Sequence, residues 1–507
     1  MSDQATIRQL PTGVPGLDEV LGGGLPEFSF NVVAGAPGAG KTTLAQQIVF
    51  GLASPSRRAI YFTVMGEPPL KMLRYQQQFG FFDAAKIGTS LRMANLAGEA
   101  ARCSLDELLQ RIVAEVEAYN PGIVVVDSFR SIVQAAAGRG EGEAALQAFV
   151  QQLALRLTSW QATTFLIGEY LPSDAEHNPV FTVADGLLWL YQSVDRNSMV
   201  RKLQVIKSRG HAAIPGLHTF RISQSGIQVF PRMILPAPTN APESRGGAAR
   251  PRVRFGVTGL DEMLGGGVPA GNSVLLVGPS GAGKTVLATE FIARGAEMGE
   301  PGIIAVFEKR PMEFGGHAPS GAAISRLVTA GKVKLIHTRP LDLSIDEMLH
   351  ELTNAIRETG AKRLVIDSLN GFEMALAPTF REDFRESLYR MVAMLTGLDI
   401  TLLMTAELED SFTDLRFSPH GTAFLADVIL MQRYIEINGR LERAISVVKV
   451  RACQHSNELR RFSIGEEGVR VGEPLAGYQG LLSGRPERIS PGPGLAPKPE
   501  AAGGGDG

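Results

Sequence analysis

The chain has 507 residues, of which 44% are hydrophobic and 20% are charged, the proportions of an average globular protein. This composition excludes a mainly disordered chain, and the formal net charge of −2 argues against a strongly basic nucleic-acid binder. No apolar run approaches the ~18 residues that a membrane helix needs, and two cysteines cannot build a disulfide framework or a four-cysteine zinc site.

Short apolar runs alternate with helix-length segments along the first half of the chain. The runs NVVAGAP, AIYFTV, IVVVDS and TTFLIG are continuous, as is typical of strands buried on both faces of a parallel sheet. Between them, the segment 104–119 predicts an amphipathic helix, because its large apolar residues fall on one stripe. This alternation predicts an α/β doubly wound fold with mostly parallel sheets flanked by helices.

The segment Gly35–Thr42 fits the phosphate-loop pattern G-x-x-x-x-G-K-[ST] and lies between an apolar strand and a helix-forming stretch. Glycines let successive backbone amides turn toward a phosphate oxygen, and the following helix N-terminus favours the same anion. Lys41 is predicted to reach the outer phosphates and Thr42 to bind Mg²⁺. A chance glycine-rich turn is the alternative.

Charged residues near the ends of later runs are candidates for chemistry around that phosphate. Asp127 ends the run IVVVD and would hold the hydration shell of Mg²⁺, or else cap the next helix. Glu67 is a candidate general base, and Glu169 is either a polar neighbour of the phosphate or a plain loop carboxylate. Lys207 and Arg209, spaced i, i+2 on a predicted strand, would share one face. They would contact a phosphate held by a neighbouring subunit, unless they protect an exposed edge strand.

The second half of the chain repeats the first. Residues 256–288 match residues 13–45 at a constant offset, including the shared pattern G-V-x-G-L-D-E-x-L-G-G-G, so one unit was duplicated. A Pro/Ala-rich stretch separates the copies, and a Pro/Gly/Ala-rich stretch ends the chain. We therefore expect a first domain at 1–232, a linker at 233–252, a second domain at 253–485 and a disordered tail at 486–507.

The second unit carries counterparts of most candidate residues. Asp367 corresponds to Asp127 as a magnesium residue, Glu308 ends the run IIAVF and is a stronger candidate base than Glu67, and Glu407 corresponds to Glu169. Lys449 and Arg451 repeat the K-x-R spacing. The predicted nucleotide contacts in the two loops are Gly35, Pro37, Gly38, Ala39, Gly40, Lys41, Thr42 and Thr43, and Gly278, Ser280, Gly281, Ala282, Gly283, Lys284, Thr285 and Val286. With Asp127 and Asp367, the threonines Thr42 and Thr285 complete the predicted magnesium residues.

Two further residues in the second unit invite a chemical interpretation. His317 lies in a glycine-rich segment without a second metal ligand at suitable spacing, so a solvated loop histidine is expected rather than a metal site. Cys453, two residues past Arg451, is expected to be a small buried residue, although proximity to nucleotide is the alternative.

The duplicated G-V-x-G-L-D-E-x-L-G-G-G pattern, the two phosphate loops and the paired K-x-R segments resemble the KaiC family of RecA-type ATPases over roughly residues 10–485. The resemblance implies two tandem RecA-like P-loop NTPase domains, ATP and Mg²⁺ as ligands, and a homo-oligomeric, hexameric double ring. It also implies that Lys207, Arg209, Lys449 and Arg451 reach the γ-phosphate of ATP held by the adjacent protomer. In this family the clock protein hydrolyses ATP in one ring and phosphorylates itself in the other.

The sequence departs from that family pattern at specific positions. The paired catalytic glutamates of the family fall on Met65-Gly66 in the first unit and on Glu308-Lys309 in the second. The phosphorylated Ser-Thr pair falls on Ala423-Phe424, which leaves Thr422 as the nearest hydroxyl and Ser418 as a second possible acceptor. Where a helix is expected after Glu308, the segment 311–321 is rich in glycine and proline, which predicts a mobile flap or a shortened loop.

Three functions remain open from the sequence. The first is an ATP-driven ring ATPase with Ser/Thr autokinase activity; the second is a hub that ATP assembles and that binds unidentified signalling partners. The third is a RecA-like DNA motor, for which Arg130 and Arg139 in the segment 128–142 would be the basic residues, although the net charge argues against it. We expect neither membrane nor nucleic-acid binding. Because the first residues lack the pattern of a secretion signal, we expect a cytoplasmic protein.

Overall fold

The computed structural model describes residues 7–64, 69–171, 173–174, 178–195, 198–233, 250–307, 319–338, 343–381, 384–408, 422–465, 468–476, 478–479 and 487–488. These residues group into two compact units, one built on each sequence repeat. The candidate residues Glu67, Glu308, Lys309, His317 and Ser418 lie outside the described residues, as do Met65-Gly66 and the segment 490–507.

The first domain contains eleven described strands and eight described α-helices. The strands are β1 (Gln9–Leu10), β2 (Leu25–Pro26), β3 (Phe30–Gly35), β4 (Ala59–Thr63), β5 (Leu91–Asn95), β6 (Ile123–Asp127), β7 (Thr163–Glu169), β8 (Gly186–Asp195), β9 (Ser198–Ser208), β10 (His218–Ser223) and β11 (Gly226–Phe230). The helices are α1 (Leu17–Val20), α2 (Lys41–Leu52), α3 (Pro69–Gln76), α4 (Ala97–Arg102), α5 (Leu105–Tyr119), α6 (Phe129–Gly138), α7 (Glu143–Ser159) and α8 (Pro179–Val183).

The second domain repeats this plan. Its described strands are β12 (Arg252–Val253), β13 (Val268–Pro269), β14 (Ser273–Gly278), β15 (Gly302–Val306), β16 (Val333–His337), β17 (Arg363–Asp367), β18 (Thr401–Glu407), β19 (Val428–Ile437), β20 (Arg440–Val450), β21 (Arg460–Gly465), β22 (Gly468–Pro474), β23 (Tyr478–Gln479) and β24 (Glu487–Arg488). Its helices are α9 (Thr258–Met263), α10 (Lys284–Glu297), α11 (Pro319–Thr329), α12 (Ile345–Thr359), α13 (Leu369–Ala375), α14 (Pro378–Arg381) and α15 (Phe384–Gly397). The 3₁₀ helices Ala84–Lys86 and Thr422–Leu425 complete the two lists.

A nine-stranded sheet forms the centre of each domain. The first has the order β11-β10-β9-β8-β3-β7-β6-β4-β5, and the second has the order β16-β15-β17-β18-β14-β19-β20-β21-β22. Strands β3 to β8 pair in parallel, whereas β9, β10 and β11 extend the sheet by antiparallel pairing. The second sheet follows the same rule, so the predicted pair of α/β domains with mostly parallel sheets is confirmed.

Both faces of the first sheet are covered, as its continuous apolar strands require. Alternate residues of β3 and β6 pack with α5, α6 and α7 on one face, and the residues between them pack with α2 on the other. The amphipathic helix predicted from 104–119 is confirmed as α5, whose stripe of apolar residues is buried and whose N-terminus is closed by a capping box of Ser104 and Glu107.

The flap or shortened loop expected at 311–321 does not extend to the end of that range. Residues 311–318 lie outside the described residues, and α11 begins at Pro319. Proline fits the first turn of a helix because a backbone amide at that position would have no intrahelical partner.

None of the helices in the described part of the chain combines the length and the apolar character of a membrane-spanning segment.

Candidate functional site

The two glycine-rich loops join equivalent elements in the two domains. The first runs from the end of β3 to the start of α2, and the second runs from the end of β14 to the start of α10. Gly40 and Gly283 have φ angles of 102° and 104°, a left-handed conformation that only glycine adopts without strain. At the strand end, a Cβ on Gly35 would lie 2.2 Å from the carbonyl oxygen of Leu190. The glycines are therefore required for the loop to form, and the helix N-terminus behind it favours an anion.

The loop lysines lie across their own loops. The Lys41 Nζ donates to the carbonyl oxygen of Ala36 at 2.8 Å, and the Lys284 Nζ donates to those of Gly278 and Pro279 at 2.8 and 2.7 Å. Burial lowers the pKa of Lys41, while the carboxylates of Glu169 and Asp127 raise it. Each lysine is thus positioned to exchange loop carbonyls for a phosphate that enters the loop.

A threonine and an aspartate meet behind each loop. The Thr42 hydroxyl donates to Oδ2 of Asp127 at 2.8 Å, and the Thr285 hydroxyl donates to Oδ2 of Asp367 at the same distance. A hydroxyl and a carboxylate are the hard oxygen ligands that Mg²⁺ takes when a nucleotide supplies the others. Each pair supplies only two oxygen ligands, so it fits a magnesium ion whose other ligands are phosphates and water.

Each of these aspartates has a second hydroxyl donor that the sequence analysis missed. In the first domain, the Tyr61 hydroxyl on β4 donates to Oδ2 of Asp127 at 2.7 Å. In the second domain, the donor is the Thr405 hydroxyl on β18, which is bonded to Oδ1 of Asp367. The signal was the presence of hydroxyl residues within largely apolar strands, two in AIYFTV and two in TLLMTA, and the sequence does not distinguish which of each pair reaches the aspartate.

Burial dominates the electrostatics of the first aspartate. Desolvation raises the pKa of Asp127, against the hydrogen bonds from Tyr61 and Thr42 and the charge of Lys41. The same burial, reinforced by the neighbouring Asp127, raises the pKa of Tyr61 well above its ordinary value. Tyr61 therefore stays protonated and remains a hydrogen-bond donor at neutral pH.

The K-x-R residues lie at the opposite end of each sheet from the loop of the same domain. Lys207 is paired with Leu187, which neighbours Val32, three residues before Gly35. That separation is roughly 10 Å along the strand. The Lys207 Nζ donates to the carbonyl oxygen of Thr182 at 3.0 Å. Burial and the charge of Arg209 lower the pKa of Lys207.

The arginines of the K-x-R segments follow the strands instead of lying within them. Strands β9 and β20 end at Ser208 and Val450, one residue earlier than the shared strand face requires. Arg209 pairs with Asp185 at 3.2 Å, and Arg451 pairs with Asp427 at 3.3 Å. The Lys449 Nζ donates to the carbonyl oxygen of Ala426 at 2.7 Å. The arginine–aspartate pair therefore recurs in both domains, whereas the lysines donate to carbonyl oxygens at different positions.

The structure also places four other residues that the sequence singles out. Glu169 ends β7 near Lys41, whereas Glu407 ends β18 with an exposed side chain. Cys453 is partly buried and packs against the apolar core of the second domain, as expected. Thr422 begins the 3₁₀ helix Thr422–Leu425.

The two arginines weighed for DNA binding are engaged by neighbouring carboxylates. Arg130 pairs with Asp174 at 3.3 Å, and Arg139 pairs with Glu141 at 2.9 Å. Arg139 also donates to the carbonyl oxygen of Ala100 at 2.7 Å. Because these cations already have anionic neighbours, they do not form a free basic surface, and this observation weighs against a DNA motor.

Comparison with known proteins gives one consistent result. The family described as "ATPase: KaiC" matches residues 10–234 and 253–476. The chain is 25% identical to the circadian clock oscillator protein KaiC of Thermostichus vulcanus over 500 residues, covering 96% of this chain and 93% of that protein. It is 26% identical to KaiC of Picosynechococcus sp. over 498 residues and to KaiC 1 of Synechocystis sp. over 499 residues, each covering 96% of this chain and 93% of the relative.

Proposed function

The chain belongs to the KaiC family of ATPases, and from that premise we propose that it binds Mg·ATP at both loops and hydrolyses it within a ring of identical copies. The observation that carries the proposal is the Thr–Asp pair behind each loop, Thr42 with Asp127 and Thr285 with Asp367, each at 2.8 Å. Duplicated geometry of this kind supports two nucleotide sites per chain.

The roles in each site follow from the chemistry of the side chains. Lys41 and Lys284 neutralise the outer phosphates, and the loop amides between Gly35 and Thr43 and between Gly278 and Val286 cradle them. A bound Mg²⁺ would supply positive charge against the negative charge that develops on the phosphates. Thr42 and Thr285 would ligate it, while Asp127 and Asp367 would hold its water ligands.

Each site is completed by a neighbouring copy. Lys207, Arg209, Lys449 and Arg451 lie at the other end of the sheet from their own loops, so they are not placed to serve them. A head-to-tail interface would bring this end of one copy to the loop of the next, and such an interface forms a ring when the rotation between copies closes. We expect the hexameric double ring of the KaiC resemblance, with these cations on the γ-phosphate of the adjacent ATP.

Hydrolysis needs a group that orients or deprotonates water. Glu308 is the proposed general base of the second domain, and Glu67 would have to serve in the first, where Met65-Gly66 replaces the paired glutamates of the family. We therefore expect the second domain to carry out most of the ATP hydrolysis. Thr422 is the proposed acceptor for any self-phosphorylation, because Ala423 and Phe424 replace the family's Ser-Thr pair.

The second candidate function is an ATP-assembled hub that binds partner proteins and turns over slowly. The replacement of both family glutamates at Met65-Gly66 favours this function for the first domain. In that case nucleotide would hold the ring together there without being consumed.

The test is incubation with γ-³²P-ATP and Mg²⁺, with free phosphate and labelled protein followed together. We expect Glu308→Gln to abolish most phosphate release while ATP binding persists. Protein label that disappears in Thr422→Ala would establish autokinase activity. If neither product forms although ATP binds and the ring dissociates without nucleotide, the enzyme proposal fails and the hub remains.

A further inference from the structure

The two domains hold their buried aspartates with hydroxyls from opposite flanks. In the first sheet, β6 lies between β7 and β4, and the second donor to Asp127 comes from Tyr61 on β4. In the second sheet, β17 lies between β18 and β15, and the second donor to Asp367 comes from Thr405 on β18. The donor thus changes strand, and the accepting oxygen changes with it: Tyr61 shares Oδ2 of Asp127 with Thr42, whereas Thr405 takes the oxygen of Asp367 that Thr285 leaves.

Strand register shows that Tyr61 has an apolar counterpart in the second domain. Thr63 is paired with Asp127, and Val306 is paired with Asp367. Tyr61 lies two residues before Thr63, and Ile304 lies two residues before Val306, so the two side chains occupy the same position. The second domain therefore has no hydroxyl where the first domain has Tyr61.

The reverse holds for Thr405. Ile167 on β7 is paired directly with Asp127. Thr405 follows Met404, which is paired with Ile366, so it occupies the position beside Asp367 that Ile167 occupies beside Asp127. At these two positions each domain consequently has one hydroxyl that donates to the aspartate and one isoleucine, in exchanged order. The first domain has a further hydroxyl in Thr63, which is paired with Asp127 on β4 but has no hydrogen-bond partner in the described structure.

The helix that follows each loop, α2 or α10, also differs between the domains at the position that lies next to the Tyr61 hydroxyl in the first domain. Gln46 on α2 lies beside the Tyr61 hydroxyl and is 3% exposed, and its Oε1 has no hydrogen-bond partner in the described structure. In the second domain the same helix position holds Thr289, whose hydroxyl donates to the carbonyl oxygen of Thr285 at 2.7 Å. A longer polar side chain therefore accompanies the tyrosine, and a short one accompanies the isoleucine.

We propose that Tyr61 is a positioning residue for magnesium-dependent nucleotide binding in the first domain, a role that Thr405 has in the second. The inference rests on the proposed function, because it assumes Mg·nucleotide at both loops. Asp127 and Asp367 are each 7% exposed, so little water is available to hold the carboxylate in place. A second protein donor fixes its rotation and directs the remaining lone pairs toward the loop threonine and the metal's water ligands.

The test measures equilibrium binding rather than turnover. In a Lys284→Ala background, which removes the second site, a fluorescent ATP analogue is titrated at a series of Mg²⁺ concentrations and again in EDTA. We expect Tyr61→Phe to raise the Mg²⁺ concentration required for half-maximal binding about tenfold. Binding in EDTA stays unchanged, because the phenyl ring keeps its place in the core. A purely structural role would weaken both equally.

The exchanged positions supply a rescue. Adding Ile167→Thr to Tyr61→Phe rebuilds in the first domain the arrangement of the second, so we expect the Mg²⁺ requirement to return toward wild type. In a Lys41→Ala background, Thr405→Ile should impair the second site, and Ile304→Tyr with Thr289→Gln should restore it. Ile304→Tyr with Thr289→Gln in the presence of Thr405 is the matched control for overpacking.

An unchanged Mg²⁺ requirement in Tyr61→Phe, or a loss that Ile167→Thr does not reverse, overturns the positioning role. If the Lys284→Ala protein binds no nucleotide with or without Mg²⁺, the proposed function of the first domain fails as well, a result distinct from the other two. Circular dichroism verifies that the variants fold. If Tyr61→Phe does not fold, the Thr405→Ile variant and its rescue by Ile304→Tyr with Thr289→Gln test the positioning role in the second domain by the same criteria.

Discussion

Tyr61 and Thr405 each donate a hydrogen bond to the buried aspartate of their own domain, from strands on opposite sides of it, Tyr61 to the oxygen that also accepts from the loop threonine and Thr405 to the other oxygen. The side that faces the loop is the same in both domains, since Thr42 and Thr285 meet their aspartates at the same distance. On the side of the aspartate away from the loop, the donor is Tyr61 on β4 in the first domain and Thr405 on β18 in the second. The two sites of one chain can therefore be perturbed independently, which makes the following predictions specific to a domain.

Replacing either loop lysine should silence one site and spare the other. Lys41→Met or Lys284→Met removes a charged hydrogen bond to phosphate, which is worth about 1.5–3 kcal/mol, or tenfold or more in affinity. Isothermal titration with a non-hydrolysable ATP analogue should then give one site per chain instead of two. Lys332→Met, at an exposed position, is the control. Two sites retained in either loop variant would contradict the prediction.

Mixed rings should distinguish contacts made within a chain from contacts made between chains. In a Lys41→Met background, one copy carries Lys284→Met and the other carries Arg451→Met, and each alone should release little phosphate. In an equal mixture, about a quarter of head-to-tail interfaces pair an intact loop with an intact arginine. Phosphate release should recover in proportion to the share of these intact interfaces.

Arg451→Met is a suitable variant for this mixture because Asp427 keeps other partners. Its Oδ2 still accepts from the amide and hydroxyl of Ser273 at 3.0 Å each. The control is a mixture of two preparations of the Lys284→Met copy, which should stay inactive. Absence of recovery in the informative mixture would place Arg451 outside the neighbour's site.

Asp127 should make the first domain less stable as pH rises. Burial raises its pKa in the folded state, so the carboxylate form is disfavoured by folding, and stability is lost between the ordinary aspartate pKa of about 3.9 and the raised value. Asp127→Asn cannot titrate. The free energy of unfolding of the variant, relative to that of the wild type, should therefore increase as pH rises from about 4 to 7.

Urea unfolding in EDTA, followed by tryptophan fluorescence, measures this effect. Both tryptophans, Trp160 and Trp189, lie in the first domain, so their signal reports that domain alone. Glu143→Gln, on the first turn of α7, is a matched carboxylate control. Parallel pH profiles for Asp127→Asn and the wild type would refute the prediction.

Arg363 should stabilise the second domain strongly. Its side chain is 1% exposed, donates to the carbonyl oxygens of Arg254 and Phe291 at 2.8 Å each, and pairs with Glu300 at 2.6 Å. Arg363→Ala removes the donor to the buried Phe291 carbonyl and leaves a cavity where a fully buried side chain packs on the Phe291 ring, at an expected cost of about 3 kcal/mol. Circular dichroism should show a destabilised transition that tryptophan fluorescence does not report. Lys334→Ala, which removes an exposed pair with Glu358, should change stability by about 0.5 kcal/mol or less.

Much of the architecture was predictable because its signals are local. Continuous apolar runs predicted the parallel strands, a 3.6-residue periodicity predicted α5, and the glycine spacing predicted both loops. The segment 311–321 was expected to be a flap or a shortened loop because of its glycines and prolines, but its last residues begin α11, since proline is compatible with the first turn of a helix. The roles of Glu67 and Glu308 stay predictions from the sequence.

The duplication, the two loops and the two aspartates follow from the amino-acid sequence alone, because each depends on residues close together in the chain. The three-dimensional fold is needed to find which hydroxyls reach those aspartates and at which end of the sheet the K-x-R segments lie. Both depend on strand order and register, which join residues as far apart as Tyr61 and Asp127, or Thr405 and Asp367. Neighbouring strands in a parallel sheet need not be consecutive in the chain, so no spacing in the sequence could have identified these partners.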